Sequence, residues 1–277
     1  MAYNKPDQIA AVTVQNGTHK ANNPLLTMII LGFLAGAFIA IGFLLDIRVI
    51  ASMPKEWGSF ANFIGASVFP VGLILVLLAG GELVTGNMMA VSLAGMARRI
   101  TPRQWVVNIA VITISNFIGA LFVAYFFGHV AGLTESGPYL AKTVEMAGHK
   151  LDASFVQAFV SGIGCNWLVA IAVWMCYGAD NMSGKIIGIW FPTMSFVAIG
   201  FQHIVANMFL IPAAIFAGHY SWAQYFGNFV PVWLGNLVGG VVFVAGAYYM
   251  AYLRKPGEAA PAKQEGVTGE VLHKSAV

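Results

Sequence analysis

Two related segments decide the fold of this chain: GGELVTGNM at 80–88 and GFQHIVANM at 200–208. Each is polar and contains glycine, and each interrupts an apolar stretch of more than about 30 residues, which is too long for one upright membrane helix. We expect each stretch to be a broken helix, whose two half-helices meet at mid-membrane. The alternative is a single tilted helix with an interfacial extension. Because unwound backbone is costly in lipid, a break predicts that the segment faces protein or a water-filled cavity.

The composition supports a membrane protein. Hydrophobic residues make up 58% of the 277 residues and charged residues only 9%, whereas an average soluble chain is roughly 25% charged. So few charges could not cover the surface of a soluble protein, and so much apolar surface excludes disorder. The 31 glycines have no collagen-like period and indicate close helix packing. The small net charge of +3 gives no nucleic-acid-binding face.

Six apolar stretches are long enough to cross a bilayer. They cover residues 25–45, 60–95, 105–127, 154–177, 187–217 and 229–252. We therefore expect a cytoplasmic N-terminal segment (1–24), a six-span channel domain (25–253) and a disordered cytoplasmic tail (254–277). Ten of the 14 Lys and Arg residues fall on the side of the termini, and Arg48, Lys55, Lys142 and Lys150 fall on the other. The positive-inside rule then places both termini in the cytoplasm, for a protein of the plasma (inner) membrane without a cleavable signal peptide.

The chain carries a predicted internal repeat. The two polar segments align at an offset of 120 residues, and the following spans keep that offset. The matching pairs are Gly80 and Gly200, Asn87 and Asn207, Met88 and Met208, Asn116 and Asn236, and Gly119 and Gly239. The first spans match more weakly, FLAG at 33–36 against FVSG at 159–162. Three spans per repeat (25–127 and 154–252) would turn the second copy upside down, as in transporters and channels with a site at mid-bilayer. Chance similarity between apolar segments is the alternative.

Two ionisable side chains, Glu82 and His203, are predicted to lie well inside the spans. Because charge at this depth costs on the order of 3 kcal/mol or more, such residues are usually functional. His203 is suited to meet a small weak acid, since imidazole donates a hydrogen bond when neutral and supplies a proton near neutral pH. Thr85, at the opposing break, could fix its tautomer. The alternatives are a packing histidine at 203 and, for Glu82, a carboxylate that binds freed backbone N–H groups.

Other side chains near the breaks have two interpretations each. The mid-span amides of Asn87, Asn166 and Asn207 could face a site or bond neighbouring helices, and for Asn116 and Asn236 helix bonding is favoured. Apolar side chains at Phe69, Leu73 and Phe196 could form constrictions that exclude hydrated ions. Each could equally face lipid or the core. Cys165 and Cys176 have no disulfide or metal-site spacing and are predicted to be buried thiols.

Four segments together resemble the formate/nitrite transporter family, formate-type branch, over about residues 22–254. They are FPVGLILVLLAGGELVTGNM (69–88), GIGCNWLVAIAVWM (162–175), SFVAIGFQHIVANMF (195–209) and VWLGNLVGG (232–240). The resemblance implies an all-α, aquaporin-like fold in a homopentamer with one pore per protomer. It also implies passage of small monovalent anions such as formate, nitrite, hydrosulfide, acetate or lactate.

The resemblance also assigns site residues. The central histidine corresponds to His203 and its threonine partner to Thr85. The remaining positions are a cytoplasmic constriction at Phe69, Leu73 and Leu83, a periplasmic aromatic at Phe196, a vestibule lysine at Lys150, pore asparagines at Asn166 and Asn207, and the acidic position of the first break at Glu82. The family often has Glu before the histidine, and this chain has Gln202, which should leave less positive character on His203.

The sequence therefore predicts a formate channel or proton-linked transporter. Lys150 would attract the anion, the apolar constriction would strip its hydration, and a proton shared from His203 would lower the barrier. The alternative is the same fold carrying nitrite, hydrosulfide, lactate or acetate. A haem-binding redox subunit is the competing class, but it needs paired axial histidines at membrane depth, and only His203 is predicted there. We expect no enzymatic activity, cofactor or metal.

Overall fold

The computed structural model describes residues 3–254, so the predicted tail beyond Arg254 lies outside the described residues. Within that range the chain is almost entirely helical, with one isolated bridge between Tyr3 and Ala179 and no strand. Besides a short 3-10 helix at Lys55–Trp57, the helices are α1 Pro6–Ala21, α2 Leu25–Ile50, α3 Ser59–Gly80, α4 Val84–Met96, α5 Pro102–Val130, α6 Pro138–Leu151, α7 Phe155–Gly178, α8 Met182–Ile199, α9 Ile204–Phe216 and α10 Trp222–Leu253.

Six helices of the described range are long and apolar enough to cross a membrane, as predicted: α2, α3, α5, α7, α8 and α10. The two longest predicted stretches each divide into a spanning helix followed by a short one. Gly80 and Gly200 end the spanning helices with positive φ angles of 106° and 87°, a conformation that glycine adopts without steric cost. Leu83 and His203 are then extended before α4 and α9 begin. The alternative of one continuous tilted helix is therefore wrong.

Three long helices begin at capping boxes. Thr101, Ser154 and Ser221 precede α5, α7 and α10, and each exchanges hydrogen bonds with the glutamine three residues later. This local chemistry starts α10 at Trp222, earlier than the predicted residue 229. The end of α2 also differs, because the helix continues to Ile50 and carries Asp46, which the predicted span (25–45) left outside.

Glycines allow two helix pairs to pack closely. Gly36 of α2 lies against the backbone carbonyl of Asn116 in α5, and Gly235 of α10 lies against that of Phe159 in α7. A Cβ at either glycine would collide with the facing oxygen. These two pairs make the most extensive contacts between helices. The structure therefore agrees with the packing role expected for glycine in this chain.

The surface and the N-terminal helix complete the fold. Large apolar side chains are exposed on the spanning helices, including Leu26, Ile114, Val156 and Phe191, as expected where lipid or another subunit replaces water. Helix α1 lies on α4, with Gly17 against the backbone of Ala90. The predicted N-terminal segment (1–24) is thus mostly helix packed on the bundle.

Candidate functional site

Each break is held by an asparagine of a long helix. At the second break, Asn236 Nδ2 donates to the carbonyl oxygens of Gly162 at 2.9 Å and Gln202 at 3.0 Å, and its Oδ1 accepts from Ile204 N at 2.9 Å. Asn236 is fully buried. The amide thus binds two backbone groups that the break leaves without helical partners, and it joins them to α7 through the Gly162 carbonyl.

Asn116 makes the same three bonds at the first break. Its Nδ2 donates to the carbonyl oxygens of Gly32 and Glu82, and its Oδ1 accepts from Val84 N, all at 2.8 Å. The favoured interpretation of both asparagines as helix-bonding groups is confirmed, and both also clamp a break. Gly32 and Gly162 have the same role, so the predicted match of 33–36 with 159–162 is wrong by one helical turn. Apolar spans carry too little pattern to set that register.

His203 lies where the two breaks meet. The His203 ring is 2% exposed, its Nε2 is 3.1 Å from Thr85 Oγ1, and its Nδ1 accepts from Ala206 N at 3.1 Å. The backbone N–H can only donate, so Nδ1 carries no proton. The neutral ring therefore carries its proton on Nε2, which donates to Thr85. The contact expected between Thr85 and His203 is present, but the Ala206 N–H sets the tautomer.

Two phenylalanines cover the histidine. The Phe196 ring stacks on His203 with centroids 5.5 Å apart, and the Phe69 ring meets Phe196 edge-on at 5.6 Å. All three line one cavity of about 510 Å³, whereas Leu73 and Leu83 are buried outside its lining. Phe69 therefore contacts Phe196, and its constriction with Leu73 and Leu83 stays a prediction. Sequence could not show this, since the two rings are 127 positions apart.

The same cavity, called here the Lys150 cavity, is also lined by Lys150, Gln202 and Asn207. Lys150 Nζ donates to the carbonyl oxygens of Gly200 at 3.0 Å and Phe201 at 3.1 Å. These carbonyls follow the C-terminus of α8, where a cation is favourable. Burial lowers the pKa of Lys150 below its usual value. The cavity thus holds a lysine whose ammonium group is bonded to backbone carbonyl oxygens and not to a carboxylate.

Buried amides surround the second break. Asn207 Nδ2 donates to Gln202 Oε1 at 2.7 Å and to Asn228 Oδ1 at 2.9 Å, and Asn228 Nδ2 donates to the Lys150 carbonyl oxygen at 2.8 Å. Asn166 lies outside the lining of the Lys150 cavity and donates to the Thr85 carbonyl oxygen at 3.2 Å. The Oδ1 atoms of Asn166 and Asn207 have no hydrogen-bond partner within the described chain. They are acceptors available to a donor.

The first break has the same layout with one charge added. Glu82 Oε1 accepts from Lys20 Nζ at 2.9 Å, and Oε2 accepts from Asn87 Nδ2 at 2.8 Å. Asn87 Nδ2 also donates to Asn108 Oδ1 at 3.0 Å, and Asn108 Nδ2 to the Lys20 carbonyl oxygen at 3.0 Å. Burial lowers the pKa of Lys20, but Glu82 and Tyr177 together raise it by more, so the net shift is upward. Glu82 therefore pairs with the side chain of Lys20. At the second break the neutral Gln202 occupies the position that corresponds to Glu82.

Sequence reasoning missed four residues of this site. Lys20 is predicted only as one of the charges on the side of the termini, and Asn108 and Asn228 are not predicted although they share the 120-residue offset. Asp46 is 2% exposed and lines the Lys150 cavity. Asp46 therefore joins Glu82 and His203, which were predicted well inside the spans, as a buried ionisable side chain near the end of α2, because that helix continues beyond residue 45. Within residues 3–254, no three His, Cys, Asp or Glu residues come together to hold a metal, and Cys165 and Cys176 are free and buried.

Comparisons with known proteins agree with this architecture. The family model described as formate/nitrite transporter matches residues 7–250. The chain is 59% identical over 255 residues to the uncharacterized transporter YrhG of Bacillus subtilis, covering 92% of this chain and 96% of the relative. It is 54% identical over 255 residues to the formate channel BtFdhC of Bacillus thuringiensis, covering 92% and 98%.

Two solved structures share the fold. An FNT family ion channel has a TM-score of 0.81 at 29% identity, covering 88% of this chain and 98% of that one. A pentameric formate channel with formate bound has a TM-score of 0.70 at 29% identity, covering 83% and 98%. With a family match over most of its length and six helices able to span a bilayer, this chain belongs to the formate/nitrite transporter family of integral membrane proteins.

Proposed function

We propose that this protein is a formate channel of the plasma membrane, assembled as a homopentamer, in which small monovalent anions pass His203. Support comes from the formate channel of Bacillus thuringiensis at 54% identity and from the pentameric formate channel with formate bound. The observation that carries the proposal is His203 itself, a buried imidazole at the end of a cavity that also holds a lysine.

The two halves of the chain are inverted repeats in an aquaporin-like arrangement. The support is chemical: Asn116 and Asn236 make equivalent bonds, and so do Asn87 and Asn207. Ten of 14 basic residues then place both termini in the cytoplasm. In that orientation the Lys150 cavity opens to the outside.

Charge draws the anion in and apolar rings remove its water. Lys150 provides a positive charge in the outer cavity, and the neutral Gln202 beside it at the second break adds no carboxylate to offset that charge. Phe69 and Phe196 then leave no polar partner for a hydration shell. A bare charge in such surroundings costs on the order of 3 kcal/mol or more, so the anion needs a hydrogen-bond donor or a proton beyond the rings.

Thr85 supplies the hydrogen-bond donor, and His203 supplies the proton once the ring has itself been protonated. In the neutral ring, Nε2–H donates to Thr85 Oγ1, which leaves the threonine hydroxyl proton to be donated to the substrate. The neutral ring cannot itself release a proton near neutral pH. Proton sharing therefore requires that Nδ1 first accept a proton, which displaces the Ala206 N–H bond. Leu73, Leu83, Asn166 and Glu82 line the remaining route to the cytoplasm.

Formate flux through purified protein in proteoliposomes tests this function. His203→Phe removes both ring nitrogens, and His203→Asn keeps a side-chain acceptor for the N-terminus of α9. We expect both variants to lose formate flux, while His219→Asn, which changes an exposed histidine, retains it. Unaltered flux in both His203 variants would exclude His203 from the mechanism. A panel of formate, nitrite, hydrosulfide, acetate and lactate separates formate selectivity from the alternative substrates.

A further inference from the structure

Asp46 is a buried carboxyl group that the mechanism above does not use. It lies near the end of α2, is 2% exposed, and lines the Lys150 cavity together with Phe69 and His203. Its Oδ1 is buried without a hydrogen-bond partner in the described chain. That atom lies directly over Gly65 of α3, where any Cβ would collide with it. The fold therefore makes room for this carboxyl group without binding its oxygen.

The lysines around Asp46 are bound elsewhere. The other titratable groups that line the same cavity are Lys142, Glu145, His149, Lys150 and His203. Lys142 Nζ pairs with Glu145 Oε2 at 3.0 Å, and Lys150 Nζ binds backbone carbonyls. The face of α3 toward Asp46 presents the uncharged Gly65, and the cavity residues of α8 are uncharged.

Arg48, on the same helix as Asp46, is also engaged away from it. The guanidinium donates to the Leu133 carbonyl oxygen at 3.3 Å and lies 3.5 Å from the centroid of the Tyr139 ring. An ionised carboxylate that is buried without a bonded cation is costly. A carboxylic acid in the same place is uncharged and can donate one hydrogen bond.

We propose that Asp46 is a proton-binding, specificity-determining residue of the Lys150 cavity. With a proton taken from bulk water, its carboxyl group donates a hydrogen bond to the entering anion. Without that proton, the carboxylate repels the anion and offsets the charge of Lys150. The residue thereby makes anion admission depend on external pH. This inference rests on the proposed function, because it concerns how the same cavity admits its substrate.

Formate flux at external pH 5, 6.5 and 8 tests the proposal, with Asp46→Asn compared to wild type. Asparagine keeps the size and a hydrogen-bond donor and cannot ionise. We expect the ratio of variant to wild-type flux to rise from about 1 at pH 5 to about three- to tenfold at pH 8, the range for one charge at short distance in a partly hydrated site. Asp46→Ser, also neutral and able to donate, should show the same rise.

The matched control is Asp152→Asn, which removes the same charge from an exposed position two residues from Lys150. Its ratio to wild type should stay constant with pH. A ratio for Asp46→Asn that is constant across the three pH values, or that falls as pH rises, overturns the proposal. Absence of wild-type formate flux at every pH instead overturns the proposed function, so the two failures are distinguishable.

Discussion

Removing the asparagine clamps should destabilise both breaks by similar amounts. Asn236→Ala removes three buried hydrogen bonds, which join Asn236 to the carbonyls of Gly162 and Gln202 and to the N–H of Ile204. The Gly162 carbonyl lies inside α7 and keeps its helical bond, whereas the two groups of the break lose their partner. A hydrogen bond in a soluble protein contributes about 0.5–1.5 kcal/mol, and interhelical bonds in a membrane average about 0.6 kcal/mol. Three bonds therefore correspond to about 2–4 kcal/mol.

Asn116→Ala removes the equivalent three bonds, so its loss should match that of Asn236→Ala to within about 1 kcal/mol, within the scatter of single-bond values. The assay is equilibrium unfolding of the purified protein in mixed detergent, followed by helical circular dichroism. The control is Asn181→Ala, which makes the same chemical change at the exposed start of α8 and loses two exposed bonds, one accepted from Gly184 N and one donated to Asp180 Oδ1. A loss for Asn236→Ala no larger than for Asn181→Ala would refute the view that these amides hold the breaks.

Three further predictions concern charge and packing. Lys20→Gln leaves the buried Glu82 carboxylate without its cation. It should lower the free energy of unfolding by about 2–4 kcal/mol in the same assay. An unchanged free energy of unfolding would show that the ion pair does not stabilise the fold. Gly36→Ala should cost about 1–3 kcal/mol by overpacking. Gly227→Ala, at an exposed helical position with open space around it, should not lower the thermal midpoint and should raise it slightly, because alanine favours the helix. Lys150→Gln should slow formate uptake at low ionic strength by about three- to tenfold. Salt should reduce that difference, and so should rising pH, because burial lowers the pKa of Lys150 and the charge is lost earlier than in an exposed lysine.

Local patterns in the sequence were enough for the helices and their interruptions. Apolar length predicted six spans, and polar glycine-containing segments predicted both breaks, because a left-handed residue at Gly80 or Gly200 ends a helix whatever surrounds it. The rarity of ionisable residues at membrane depth also singled out His203, which the fold places beside Thr85 where the two breaks meet. Boundaries were less accurate, and the misplaced end of α2 hid Asp46.

Tertiary structure alone decided which side chains meet. The pairing of Lys20 with Glu82, the contact of Phe69 with Phe196 and the register of Gly32 with Gly162 join distant parts of the chain. Apolar spans look alike along most of their length, so periodicity specifies a helix without specifying its neighbours. The tautomer of His203 likewise depends on one backbone N–H that only the folded start of α9 presents to the ring.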